Sequence, residues 1–268
     1  MFGDVTRVGA NFHAQQAWGN LKKVNGQIGQ IQSRLSTGKR INSAEDDTSG
    51  YALSKHLESR TRGLSQALDN VGTAKNVLNI AEGGFQAQMT ILQTMKEKAT
   101  QAADGSYSTN QRQAIQDQFA ALRTEFDDIS SDTKFNDNAL MSATAMTFHV
   151  GEGSTDTLAV TFGTSVAATV GEDNTDISAT TLATQAGATA GIALLDTAIK
   201  SLAKSIQNVG DNNARLSSKE ESLSLAISNT DATRSRIEDA DFAKEQMSMM
   251  KLQILQQTTV ASFAQANS

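Results

Sequence analysis

From Ala10 the apolar positions step alternately by four and three: Ala10, Ala14, Ala17, Leu21, Val24, Ile28, Ile31 and Leu35. This is the a/d seam of a coiled coil, the spacing that keeps one stripe turned toward a partner helix. The early positions are Ala, so backbones can approach closely while each position buries little. Gly19, Gly26 and Gly29 interrupt the same stretch, and each weakens the helix by about 1 kcal/mol relative to Ala. Such a helix requires a partner.

A second series keeps strict sevens: Leu57, Leu64, Val71, Leu78, Phe85, Leu92 and Ala99, with Leu53, Ala67, Ala74, Ala81 and Met95 in the companion seam position. It predicts a helix over about 44–102, roughly 90 Å long at 1.5 Å per residue. A third pattern, Ile115, Phe119, Leu122, Phe126 and Ile129, follows the break ADGSYST, with Thr109 as its cap. In the second half Leu195, Ile199, Leu202, Ile206, Val209, Leu216, Leu223, Ile227 and Ile237 hold one register. Asn213 and Glu220 interrupt it as polar seam residues, which set register at a cost in stability. Beyond RIEDADF a shifted stripe runs through Ala243, Met247, Met250, Ile254, Ala261 and Ala264.

The middle follows another period. MTFHV and LAVTF alternate apolar and polar residues around GEGSTDT, which predicts a β-hairpin. The Thr-, Ala- and Gly-rich run TSVAATVGEDNTDISATTLATQAGATAG reads as irregular, exposed structure. The stretch RINSAEDDTSGYAL reads as a helix start: Ser43 as cap with Asp46 three residues on approximates a capping box. Its acids fall where the helix dipole favours negative charge.

Composition sharpens this picture. The chain has 268 residues and no proline. Proline costs about 3 kcal/mol inside a helix, so its absence agrees with long uninterrupted helices and removes slow X-Pro isomerisation. There is no cysteine, which excludes disulfides, zinc-thiolate sites and thiol nucleophiles. Aromatics are only 5%, favouring thin cores between helices. A net charge of −6 argues against a nucleic-acid backbone as partner. No run is long and apolar enough for a membrane span, and MFGDVTRVGANFH lacks the layout of a cleavable signal peptide. Composition taken alone points to a soluble, helical, intracellular protein.

Candidate chemistry is thin. Ser201-Leu-Ala-Lys204 formally matches S-x-x-K but sits on a heptad helix without companion motifs. His13, His56 and His149 are scattered, and Gly151-Glu-Gly153 is a turn between strands with no phosphate-loop Lys after it. Asp127, Asp128, Asp132 and Asp137 lack the spacing of a calcium loop and read as a solvated face. Met247, Met249 and Met250 read as packing filler. Neither catalysis nor a cofactor is expected.

RLSTGKRINSAEDDTSGYALS, SRIEDADFAKE and QILQQTTVASFAQAN together resemble bacterial flagellin, the subunit of the flagellar filament, over roughly residues 1–140 and 190–268. The resemblance implies a mainly α fold: long antiparallel coiled-coil helices from both chain ends, with a small β-hairpin in the middle. It divides the chain into inner-core terminal helices (1–42 with 238–268), an outer helical layer (43–142 with 190–237), and a short hairpin and exposed variable region (143–189). Filament-core packing then falls to Leu21, Val24, Ile28, Ile31, Leu35, Met247, Met250, Ile254 and Ala261. Two narrow Ala- and Met-rich stripes bury little, so the ends are expected to order when neighbouring subunits cover their remaining faces. Implied partners are other copies in a helical homopolymer, the flagellar type III export apparatus with its chaperone, and hook-associated and cap proteins. The implied location is extracellular, which overrides the intracellular reading. The hook–filament junction protein, which shares helical ends of this sort, is the alternative. Flagellins usually continue past the point reading AQANS with a proline and a Leu-rich tail, so either the sequence is cut short there or the terminal packing in the filament core differs. The family's contact site for Toll-like receptor 5 falls on Thr94, Lys98 and Gln118, none of which keeps the usual Arg, Leu or Glu; weak receptor activation is the expectation.

Overall fold

The computed structural model describes residues 12–142 and 145–267; Ala10, the first position of the seam, lies outside them. The elements in order are α1 (Phe12–Thr37), α2 (Thr48–Ala103), α3 (Thr109–Asp132), β1 (Lys134–Phe135), β2 (Asn138–Ala139), β3 (Ala145–His149), β4 (Thr157–Thr161), β5 (Ser165–Val166), β6 (Thr169–Val170), α4 (Gln185–Glu238) and α5 (Phe242–Asn267). The chain forms two compact units, one of residues 1–62 with 227–268 and one of residues 63–226. Their boundaries fall inside α2 and α4, whereas the sequence is punctuated near residues 42 and 238. Punctuation marks where a helix starts or stops; a unit is defined by which side chains share a core.

In the second unit the strict sevens of α2 are the core. Leu64, Val71, Leu78, Phe85, Leu92 and Ala99 are buried, as are Ala67, Ala74, Ala81 and Met95. Leu195, Leu202, Val209, Leu216 and Leu223 of α4 are buried likewise, each large aliphatic contributing about 1.5–3 kcal/mol. Three polar ties set the antiparallel register: Lys96–Asp196 at 2.5 Å, Asn213 Nδ2 to Asn79 Oδ1 at 3.1 Å, and Lys75–Glu220 at 2.8 Å. Both polar seam residues of α4 therefore pair across to α2. Helix α3 adds Ile115, Phe119 and Phe126 to the same core.

The cap of α3 is Ser108, one residue before the expected Thr109. Its hydroxyl accepts from Gln111 N while the Gln111 side chain accepts from Ser108 N, a reciprocal capping box. The Arg112 guanidinium reaches back to Ala102 O at 2.9 Å and Asp104 O at 2.7 Å, satisfying carbonyls left free at the end of α2.

Strands β3 and β4 pair antiparallel with Met146 opposite Val160 and Phe148 opposite Leu158, as alternation predicts. Between β1 and β2, Asn136 and Asp137 both have positive φ, 49° and 64°, the two-residue hairpin turn that suits strand twist. The run after β4 departs from expectation. Val170, Ile177 and Leu182 are fully buried, so 163–182 is not simply exposed. Helix side chains hold its backbone: Asp127 Oδ1 accepts from Ala167 N at 2.6 Å, and Gln116 Oε1 from Leu182 N at 2.5 Å. Small residues allow that approach; at Gly171 (φ +66°) a Cβ would fall 2.4 Å from the Ser201 carbonyl carbon. Composition shows the small residues but not the helix groups waiting to bond them.

Candidate assembly surface

Helices α1 and α5 of the first unit lie side by side and antiparallel. Arg34 faces Glu245 at 3.5 Å, Gln256 Nε2 donates to Asn25 Oδ1 at 2.7 Å, and the Trp18 and Phe263 rings are 6.1 Å apart. Ala14, Ala17, Leu21, Val24, Ile28, Ile31 and Leu35 are all half-buried, yet α1 has no fully buried residue. One neighbouring helix covers only part of a seam.

On α5 the half-buried positions are Glu245, Ser248, Met249, Leu252, Gln256, Thr259, Phe263 and Ala266. Met247, Met250 and Ile254, expected to pack in the filament core, are 61%, 51% and 65% exposed in the single subunit, and Ala243 and Ala261 beside them are exposed too. Helix α5 is apolar on more than one face. The face that meets α1 carries the groups able to pair with Arg34, Asn25 and Trp18, which turns the Met/Ile stripe outward. In the same unit Leu57 is half-buried, and Leu53 remains 48% exposed.

The junction joining these helices to α2 and α4 is densely bonded. Gly38, at φ +72°, ends α1 with its N–H on Arg34 O at 2.8 Å, the left-handed cap for which glycine is suited. Arg40 N donates to Glu238 O at 2.7 Å and Ala240 N to Gly38 O at 2.9 Å, while the Arg40 guanidinium caps Ile237 O at 2.8 Å. The Glu238 side chain is held by Lys39 at 2.6 Å and by the Ser54 hydroxyl at 2.7 Å. Burial opposes its ionisation, but Lys39 and Ser54 outweigh that and keep its carboxyl below the ordinary value.

The helix start also differs from expectation. Helix α2 begins at Thr48, and its cap is Asp47, whose Oδ1 accepts from Gly50 N at 2.9 Å. Asp46 orders the preceding loop instead: Oδ1 accepts from Gln30 Nε2 at 2.8 Å, and Oδ2 from Asn42 N at 3.0 Å and Ser43 N at 3.1 Å. Gln30 and Asn42 are the main reasons its carboxyl lies below the ordinary value. Ser43 is thus a donor within the loop rather than a cap. Adjacent acids look alike in sequence, and the path of the loop decides which meets the helix N-terminus. Asp241, unremarked in the sequence, caps α5 by accepting from Lys244 N at 3.2 Å; its place just ahead of an apolar run was the available signal.

Several residues weighed for chemistry have structural partners. Ser201 is buried, donates to Val170 O at 2.9 Å and accepts from Asp173 N at 2.8 Å; Lys204 pairs with Asp173 at 2.7 Å. The S-x-x-K match is a latch on the loop 171–173. His13, His56 and His149 are exposed on separate elements. Gly153 N donates to Asp156 Oδ2 at 3.0 Å within the hairpin turn. Among the described residues no group of three or more His, Cys, Asp or Glu is placed to hold a metal ion, and no helix is long and apolar enough to cross a membrane. Thr94 and Lys98 are half-buried on α2, and Gln118 is exposed on α3.

Partly covered seams on the terminal helices, an apolar stripe facing outward and polar groups committed to structure define a helical subunit of an assembly. The comparisons place it within a family. The model of the bacterial flagellin N-terminal helical region matches residues 8–146, and that of the C-terminal helical region matches residues 192–268. The chain is 34% identical to Flagellin FlaB1 of Treponema pallidum (strain Nichols), over 96% of this chain and 94% of that protein. It is 33% identical to the flagellar filament 33 kDa core protein of Treponema phagedenis, over the same shares. A solved Vibrio parahaemolyticus chain, provisionally described as a flagellar hook-associated protein, superposes with a TM-score of 0.61 at 13% identity, covering 72% of this chain and all of that one; this is a likeness of fold. The chain belongs to the bacterial flagellin family. It is a structural, self-polymerising subunit of the flagellar filament and not an enzyme. The hook–filament junction reading is set aside, since relatives spanning nearly the whole chain are flagellins and filament core proteins.

Proposed function

We propose that the paired terminal helices are the polymerisation surface of this filament subunit. Residues 1–42 with 238–268 supply the inner core, 43–142 with 190–237 an outer helical layer, and 143–189 the hairpin segment beside it. The observation carrying this reading is the outward stripe of α5: Met247, Met250 and Ile254 are more than half exposed on a helix pair whose α1 buries no residue fully. Large aliphatic side chains left in water at heptad-like spacing gain about 1.5–3 kcal/mol each when a neighbour covers them. Contacts repeated head-to-tail without closing generate an open helical polymer, which is the mechanical requirement of a stiff propeller. Ile254→Asp, alone and with Met250→Asp, tests the assignment. The free variant is expected to keep its helix content while electron microscopy and sedimentation show no filaments; normal filaments from the double variant would refute it.

The finer partners belong to the same proposal. The subunit passes the flagellar type III export apparatus as an unfolded chain escorted by a chaperone, and is added outside the cell between hook-associated and cap proteins. A chain without proline or cysteine refolds without slow isomerisation or disulfide exchange, which supports that route. Detection of the full chain in culture medium, lost when export is blocked, is the expected result.

A further inference from the structure

The outward stripe of α5 contains two thioethers. Met247 is 61% exposed and Met250 51% exposed, whereas Met95 and Met141 are fully buried in the second unit. Met249 is half-buried, on the side of α5 that meets α1. Among the described residues, the thioethers most accessible to a soluble oxidant are therefore those whose apolar character the polymer contact uses.

We propose that Met247 and Met250 form a redox-sensitive modification site at which peroxide oxidation of the free subunit blocks its assembly. The inference rests on the α5 stripe being the polymerisation surface. A sulfur lone pair attacks one peroxide oxygen, the S–O bond forms as the O–O bond breaks, and the departing hydroxide takes up the proton of the transferred oxygen as water. The sulfur is oxidised by two electrons and the peroxide reduced by two. The product sulfoxide is polar and carries a strong acceptor. Exposed on a free helix it is hydrated at little cost. Buried in an apolar contact without a donor it carries the penalty of an unpaired polar group. Once a neighbour covers the stripe the thioethers are shielded, so the sensitivity belongs to the subunit before incorporation. Sulfoxide reductases reverse the change, one for each epimer.

The experiment treats the full-length free subunit with hydrogen peroxide, maps added oxygen by peptide mass spectrometry, and measures the critical concentration for polymerisation. Oxygen is expected at Met247 and Met250 ahead of Met95 and Met141. The critical concentration is expected to rise about tenfold or more and to fall back after treatment with both reductases. The double variant Met247→Leu with Met250→Leu has no thioether on the stripe, and its critical concentration, whatever its starting value, is expected not to change with peroxide. Oxidation at both positions with an unchanged critical concentration would overturn the inference, as would a Leu variant that peroxide inhibits as strongly as the parent. Ile254→Asp separates this from the underlying reading. If Ile254→Asp abolishes filaments but the oxidised subunit assembles normally, only the redox inference fails. If Ile254→Asp with Met250→Asp assembles normally, the surface assignment fails and the inference with it.

Discussion

Gln88 occupies a seam position of α2 between the apolar Ala81, Phe85, Leu92 and Met95, and it is fully buried. Its amide donates to Phe126 O at 2.8 Å and Ser165 O at 2.9 Å, while its carbonyl accepts from the Ser165 hydroxyl at 2.5 Å. One side chain thus ties α2, α3 and β5 together in a dry setting, where an unmade bond is costly. Gln88→Ala removes all three bonds and leaves a void, so a loss of about 2–4 kcal/mol is expected, read as a lower urea midpoint. Glu238 makes the comparable point for a charge. Its carboxyl lies below the ordinary value of 4.5, and that of Asp46 below 3.8. Groups lowered on folding stabilise the native state fully above their unfolded values, and that stability is lost as pH falls through the folded ones. The first unit is therefore expected to loosen below about pH 4.5, and Glu238→Gln to flatten that dependence in a thermal-melt series.

At the scale of elements, α2 and α4 differ from α1 and α5 in what their seams meet. Helix α2 sees α4, α3 and the loop 163–182, and its strict sevens in the second unit are buried. Helix α1 pairs with one helix, α5, and buries nothing completely. Ordering a residue costs about 1–2 kcal/mol, and half-covered Ala and Val positions offset little of it, so α1 and α5 belong to the low-stability end of the molecule. Amides of Leu21–Leu35 are expected to exchange rapidly in the free subunit and to become strongly protected in the filament. Strong protection before assembly would show that the pair is stable unaided.

For the whole molecule, the receptor-facing chemistry of the family is a matter of which groups this chain displays. From the resemblance of the flanking motifs, we propose that Thr94, Lys98 and Gln118 stand at the positions where flagellins recognised by Toll-like receptor 5 carry Arg, Leu and Glu. A bidentate cation, an apolar contact and a carboxylate are all replaced, and Arg contacts in particular are not reproduced by a hydroxyl. Activation of a receptor reporter cell line is expected to be weak or absent at concentrations where a receptor-competent flagellin saturates; equal potency would show that recognition lies elsewhere on the chain.

The heptads of α2 and α4, the seam of α1, the hairpin of β3 and β4 and the family motifs were legible in the sequence because each depends on a local period, and period is a property of the chain itself. The missed details depended on competition between neighbours. Which acid caps α2 followed from the path of the loop through Asn42, and Asp47 won over the Ser43–Asp46 pair. Which face of α5 meets α1 followed from Arg34, Asn25 and Trp18 selecting Glu245, Gln256 and Phe263 over Met247, Met250 and Ile254. Whether a Thr- and Gly-rich run is exposed followed from Asp127, Gln116 and Ser201 bonding its backbone. The sequence by itself determined that these helices form and carry apolar stripes, because that follows from the spacing of side chains on one helix. Only the tertiary structure decided which stripe is covered, because that depends on the complementary groups another element brings to meet it.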